Sequence, residues 1–328
     1  MKSLAVFSLA SGQPLAERIC EHLGVAPARH EERDFEDGEH KIRSLESVRG
    51  RDVYLVESLN GDALRSVNDK LVRVLFFLGA LVDAGARRVT MVAPYLCYAR
   101  KDARTKPRDP LSTRYVAALF EAVGLDRIVS MDVHNLAAFE NAFRISTEHL
   151  IGAPLLVNAC VPLIGDAPAV VVSPDAGGVK RAERFRQVLE RRLGRPVGFA
   201  FVEKFRSEGV LRGGRLAGDV QGAVAIIVDD LISSGSTLAR AATACREHGA
   251  RSAYAAAAHG VFSAGSGQVL AGSALERIVV LNTVAGRESP ASFPWQRVEV
   301  LDCSPLLAAA IKRLHTDGSV SALAEGAL

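Results

Sequence analysis

The stretch Ala225-Ile226-Ile227-Val228-Asp229-Asp230-Leu231-Ile232-Ser233-Ser234-Gly235-Ser236-Thr237-Leu238 runs from buried apolar residues through two adjacent acids into a small hydroxylated turn. The turn then opens a helical pattern. N–H groups at a helix start can surround a phosphate, and the helix dipole favours its charge. Ser233, Ser234, Ser236 and Thr237 add hydroxyl donors on either side of Gly235. Asp229 and Asp230 repel a phosphate, so they suit sugar hydroxyls a few ångströms away from it. Capping a helix needs one such residue, and this segment carries more than that need.

Two further groups could handle phosphates. Arg100, Lys101, Arg104, Lys106 and Arg108 follow the apolar run Val89–Val92 and its Pro94–Tyr98 turn. Basic residues at the carboxyl end of a strand suit nucleotide phosphates. Lys204 and Arg206 precede a glycine-bearing stretch, residues 207–215, which reads as a lid able to exclude water or as a plain hairpin.

These residues need a scaffold, and the periodicity supplies one. Short runs rich in valine and isoleucine recur at Leu4–Phe7, Val53–Val56, Val89–Val92, Ile128–Met131, Ala169–Val172, Gly198–Val202, Val224–Val228 and Ile278–Leu281. Runs so short and continuously apolar suit strands buried on both faces of a parallel sheet. Between them lie amphipathic helical patterns, for example Leu71, Val74, Leu75, Leu78 and Leu81, and glycine follows the last apolar residue of several. The fold class is α/β of the doubly wound type, with ligands expected at the carboxyl ends of the strands. Pro154 and Pro162 bracket a non-periodic stretch that marks a domain boundary near residues 148–165.

The composition sets outer limits. The chain has 328 residues, enough for about two domains. With 40 basic and 37 acidic residues the net charge is +3, too small for a protein that coats nucleic acid. The five cysteines are odd in number and show no Cys-x-x-Cys, which suits reduced core residues of a cytoplasmic protein. No apolar run reaches the ~18 residues of a membrane span. The start of the chain, Leu4–Ala10, reads as a first buried strand and not as a signal peptide.

The residue pattern resembles a known family. The Asp229–Leu238 segment is similar to the sugar-phosphate loop shared by type I phosphoribosyltransferases and phosphoribosyl diphosphate (PRPP) synthetases, which are ribose-phosphate diphosphokinases. Phe35-Glu36-Asp37-Gly38-Glu39 resembles the synthetases' adenine-contacting Phe-x-Asp-Gly-Glu, and Pro94–Asp102 resembles their Pro-Tyr-x-x-Tyr-Ala-Arg-Gln-Asp. Asp132-Val133-His134, Val172–Arg181 and Lys204-Phe205-Arg206 follow in the family's order, so the resemblance covers about residues 1 to 315. There are departures: Lys101 stands in place of the usual glutamine, Ser233 of aspartate, and Ser236 of glycine or alanine.

The resemblance implies two similar phosphoribosyltransferase-like domains, residues 1–148 for ATP and 149–328 for ribose 5-phosphate. It implies transfer of the β,γ-diphosphoryl group of ATP to the C1 hydroxyl of ribose 5-phosphate. It assigns Phe35, Asp37, Glu39, Arg100, Lys101, Asp102 and His134 to ATP, and Asp175, Asp229, Asp230, Ser233, Ser234, Gly235, Ser236 and Thr237 to the sugar phosphate. Lys204, Arg206 and His134 become catalytic residues, and His134 and Asp175 contacts for Mg²⁺. It further implies a cytoplasmic homo-oligomer, a dimer or a hexamer of dimers, with no nucleic-acid or membrane partner. Two alternatives stay open: a phosphoribosyltransferase that consumes PRPP, and a non-catalytic regulatory paralogue.

Overall fold

Continuously apolar strands are stable only when helices cover both sheet faces, and the computed structural model of this chain has that arrangement twice. It describes residues 3–207, 210–284 and 293–325, with backbone alone at 204–207, 210–214 and 324–325. The chain forms two units, one of Met1–Ile151 with Cys303–Leu328 and a short piece at Thr283, the other of Gly152–Asn282 with the segment ending at Asp302.

In the first unit the strands are β1 (Leu4–Ser8), β2 (His30–Asp34), β3 (His40–Ser44), β4 (Asp52–Val56), β5 (Arg88–Ala93), β6 (Arg127–Met131) and β7 (Ser146–Leu150). The main sheet has the order β1-β4-β5-β6-β7, every pair parallel. β2 and β3 form a separate antiparallel hairpin. The helices are α1 (Gln13–Leu23), α2 (Val67–Asp83), α3 (Ser112–Ala122) and α4 (Leu136–Ala142). Phe77, Leu78 and Leu81 of α2 join Phe7, Leu55 and Met91 of the sheet in one core. α2 starts at a capping box, in which Ser66 and Asp69 satisfy each other's backbone N–H.

The second unit opens with α5 (Ala153–Ile164) and contains β8 (Ala169–Ser173), α6 (Val179–Leu193), β9 (Gly198–Ser207), β10 (Val210–Ala217) and β11 (Val224–Leu231). After these come α7 (Ser236–Glu247), β12 (Ser252–His259), α8 (Ser266–Ala271), β13 (Arg277–Leu281) and β14 (Val298–Leu301). The sheet order is β10-β9-β8-β11-β12-β13-β14, parallel except where β10 pairs antiparallel with β9. β8 has β9 on one side and β11 on the other, so the winding reverses between β8 and β11. A crevice at such a reversal is where ligands of open α/β sheets bind.

Two expectations need correction. The stretch between Pro154 and Pro162 is helical: Pro154 lies in the first turn, where its missing N–H costs nothing, and α5 carries Pro162 near its end. The division at 148/149 also gave the whole C-terminal part to the second domain. The last helix, α9 (Ser304–His315), belongs instead to the first unit. It packs on α1, burying Leu307 and Ile311, and His315 Nδ1 lies 2.8 Å from Asp52 Oδ2. Arg88 grips the same carboxylate with Nε at 2.8 Å and Nη2 at 2.7 Å, and donates to the Leu314 carbonyl at 3.1 Å.

Candidate active site

On the sugar side, the residues expected together are built onto adjacent strands. Asp229 and Asp230 lie near the carboxyl end of β11, and the turn holding Asp175 follows β8, its parallel neighbour. Asp230 is buried and Asp229 half-buried. Asp229 Oδ1 accepts the backbone N–H of Asp230 at 2.9 Å. Burial, followed by the neighbouring Asp230, pushes the Asp229 carboxyl far above the ordinary carboxylate range, against the pull of Arg181. The two acids thus resist ionising together, and a proton held between them leaves carboxyl oxygens able to accept.

Beyond β11, Gly235 adopts φ 77°, and a Cβ there would lie 2.7 Å from Leu270 Cδ2, so the turn requires glycine on both counts. Gly235 is the N-cap of α7 and offers no capping side chain. Ser234 Oγ accepts the Ser236 N–H only at a long 3.4 Å, so the first turn of α7 keeps N–H groups to offer an anion. Ser234 and Ser236 hydroxyls lie 2.9 Å apart at this mouth, both exposed, with Ser233 and Thr237 half-buried beside them. Asp175 Oδ1 accepts the Gly178 N–H at 3.1 Å and Ser173 Oγ donates to the Asp175 carbonyl at 2.6 Å. A Cβ on Gly178 would sit 2.9 Å from Ser173 Oγ, which explains the glycine.

The nucleotide-side residues fall into two places. Phe35, Asp37 and Glu39 occupy the exposed tip of the β2–β3 hairpin, where Phe35 N–H donates to the Glu39 carbonyl at 2.9 Å. The Arg33 guanidinium stacks over the Phe35 ring, 5.1 Å from its centroid. Arg100 and His134 are both exposed, after β5 and β6. A contact that the sequence did not announce joins their turns: Asn135 Nδ2 donates to Asp102 Oδ2 at 2.7 Å.

Lys101 differs from its expected role as a spare positive charge for the triphosphate. Its Nζ lies 2.7 Å from Asp109 Oδ2, an oxygen that also accepts from Thr105 N at 3.1 Å, Thr105 Oγ1 at 2.8 Å and Lys106 N at 3.0 Å. These partners, with the Lys101 hydrogen bond foremost, hold the Asp109 carboxyl well below the usual range. The basic run is thus wound around an acid, and Lys101 is neutralised within it.

Lys204 and Arg206 lie in the backbone of β9, paired with Gly214 and Leu211 of β10. Their side chains, and residues 208–209 of the expected lid, lie outside the described residues. For Mg²⁺, Asp175 offers a hard oxygen and His134 an imidazole, and no cluster of three or more His, Cys, Asp or Glu side chains occurs among the described residues. That donor set fits a cation held largely by water and substrate phosphates, with one carboxylate from the protein.

Sequence reasoning missed Arg181, whose Nη1 lies 3.4 Å from Asp229 and 3.3 Å from Asp230. A signal was available: Arg181 stands in the first turn of α6, where a helix favours acids over bases.

Three family models match the chain. The N-terminal domain of ribose phosphate pyrophosphokinase matches residues 4–124, a phosphoribosyl transferase domain 157–269, and a phosphoribosyl synthetase-associated domain 214–325. The ribose-phosphate pyrophosphokinase of Hyphomonas neptunium is 37% identical over 321 residues, covering 98% of this chain and 99% of that one. That of Caldanaerobacter subterraneus is 38% identical over 323 residues, covering 98% of each. The crystal structure of phosphoribosylpyrophosphate synthetase from Mycobacterium smegmatis aligns with TM-score 0.86 at 35% identity, covering 96% of this chain and all of that one. A largely parallel sheet whose winding reverses between β8 and β11, matched by a phosphoribosyl transferase domain model, defines a phosphoribosyltransferase-type protein. The chain belongs to the ribose-phosphate pyrophosphokinase family, the PRPP synthetases.

Proposed function

We propose that the chain transfers the β,γ-diphosphoryl group of ATP to the C1 hydroxyl of ribose 5-phosphate, giving PRPP and AMP. The observation that carries this reading is the Asp229–Asp230 pair beside the glycine-led, hydroxyl-lined start of α7, within a chain similar over 98% of its length to a ribose-phosphate pyrophosphokinase. The 233–237 turn and the α7 N–H groups hold the 5-phosphate. Asp229 and Asp230 receive the 2- and 3-hydroxyls, and the C1 hydroxyl is thereby aimed. Its oxygen bonds to the β-phosphorus as the bond from that phosphorus to the α-phosphate's bridging oxygen breaks, releasing AMP, and the hydroxyl proton passes to solvent.

Arg100, Asp102 and His134 serve the nucleotide on one side, with Phe35, Asp37 and Glu39 as adenine contacts. Positioning and charge cancellation supply most of the rate in such transfers. Mg²⁺ neutralises the triphosphate when bound, with Asp175 and His134 as its protein contacts. Lys204 and Arg206 stabilise the transferring group, and Lys204→Ala or Arg206→Ala lowers kcat by at least about 10². The protein works as a cytoplasmic homo-oligomer. No helix among the described residues is long and apolar enough to cross a membrane.

Phosphorus NMR of purified protein with Mg²⁺, ATP and ribose 5-phosphate tests the reaction. PRPP and AMP are the expected products. ADP as coproduct would mark a simple kinase, and consumption of added PRPP with a nucleobase would mark a phosphoribosyltransferase.

A further inference from the structure

The two sugar-side acids share a neighbour to which the motifs assign no role. Arg181 begins α6 in a turn that contains no acidic residue, against the helix dipole. Its guanidinium is directed to the end of the adjacent strand instead, because β8 and β11 run parallel side by side and α6 starts just beyond β8. There Nη1 reaches Asp229 Oδ1 at 3.4 Å and Asp230 Oδ1 at 3.3 Å. The Asp230 side chain is 4% exposed and those of Asp229 and Arg181 21% each, so water screens the three groups poorly. Adjacent carboxylates so enclosed repel each other, and a cation between them fixes both.

We propose that Arg181 is a positioning residue that bridges Asp229 and Asp230 and holds both carboxylates ready to accept the vicinal hydroxyls of ribose 5-phosphate. The inference rests on the reading that this acid pair binds those hydroxyls. Arg181 acts on sugar affinity and not on the nucleotide. The two contacts to Asp229 and Asp230 run through Nη1 at 3.4 and 3.3 Å, long for hydrogen bonds, so the positive charge contributes to them more than close hydrogen-bond geometry does. Lysine should therefore substitute where glutamine cannot.

Steady-state kinetics and ribose 5-phosphate calorimetry on the full-length Arg181→Gln and Arg181→Lys variants, with Asp230→Asn as reference, test this. Arg181→Gln is expected to raise KM for ribose 5-phosphate about tenfold or more, as for a lost charged partner. Its kcat and KM for ATP should stay within about threefold, and Arg181→Lys should recover most of the sugar affinity. If Asp230→Asn raises the sugar KM and Arg181→Gln does not, the acids work without the bridge and the proposal is overturned. Equal losses in kcat and both KM values, unrescued by lysine, would make Arg181 a helix anchor only. An unchanged sugar KM in Asp230→Asn would remove the acid pair from the sugar site, and the proposal with it.

Discussion

Two aspartate clusters, one at each kind of strand end, show what a parallel sheet does with its acids. Asp52 opens β4 at the amino end, and Asp229 and Asp230 stand near the carboxyl end of β11. Each cluster contains an arginine, but the arginines are used differently. Arg88 grips Asp52 through two nitrogens at 2.7 and 2.8 Å, and His315 completes the ring of donors. Arg181 touches its two acids at 3.3–3.4 Å, through one long contact to each. The electrostatics diverge accordingly. Burial alone would raise the Asp52 carboxyl, but the Arg88 and His315 hydrogen bonds and charges outweigh it and leave it below the ordinary range. Asp229 goes the other way, upward. The acid gripped by short hydrogen bonds is stabilised as a carboxylate, whereas the one crowded by a second acid resists ionisation.

Substitutions can break this contrast. The largest effect should be Asp52→Asn, which takes from Arg88 its buried charged partner, leaves it only the exposed Asp317 at 3.6 Å, and lowers stability by about 3–5 kcal/mol. Urea unfolding measures it, and the KM values should not move. Next comes Asp230→Ala, which should raise KM for ribose 5-phosphate about 10²-fold while ATP affinity and Tm hold. Equal losses for both substrates would show that the two clusters do the same job.

Acidity separates them again. Asp52 has a depressed folded pKa, so its stabilisation is present above the unfolded value of about 3.9 and is lost as pH falls through the folded one. Asp229 has a raised folded pKa, so its ionisation costs stability as pH climbs above the unfolded value. Asp229→Asn should then raise Tm by about 2–4 °C at pH 8 and by less at pH 5, while sugar affinity is lost. Calorimetric melting at both pH values measures this, and a lower Tm at pH 8 would refute it. The smallest effect is Lys101→Gln. Asp109 already meets that charge, so KM for ATP should rise no more than about threefold, and a larger rise would put the ammonium on the triphosphate.

The carboxyl-end acids of this contrast were legible in the sequence, and the amino-end cluster was not. Asp229, Asp230 and the serine-rich turn announce themselves because acids and hydroxyls crowd the end of an apolar run. Every apolar run named as a strand is one, since continuous burial leaves a continuous apolar trace. The β2–β3 hairpin escaped because its strands are half-exposed and charged, and β12 because Ser252–His259 is rich in alanine, a good helix former. Asp52, Arg88 and His315 are far apart in the chain, and single charges at such separations carry no pattern. Arg181 differs again, for its signal was local and lay in an arginine placed against a helix dipole.

The return of α9 to the first unit fixes an order of events at the ribosome. α1 is made early, and the helix that covers it is made roughly 290 residues later, on the order of 15–60 s at ordinary synthesis rates. During that interval α1, which carries the buried Leu15 and Ile19 of the finished protein, has no α9 to pack against. Nearly all of the second unit is continuous and can fold while the first waits. Nascent chains stalled just before Ser304 should therefore bind chaperones through the face of α1, and release of the last helix should end that binding.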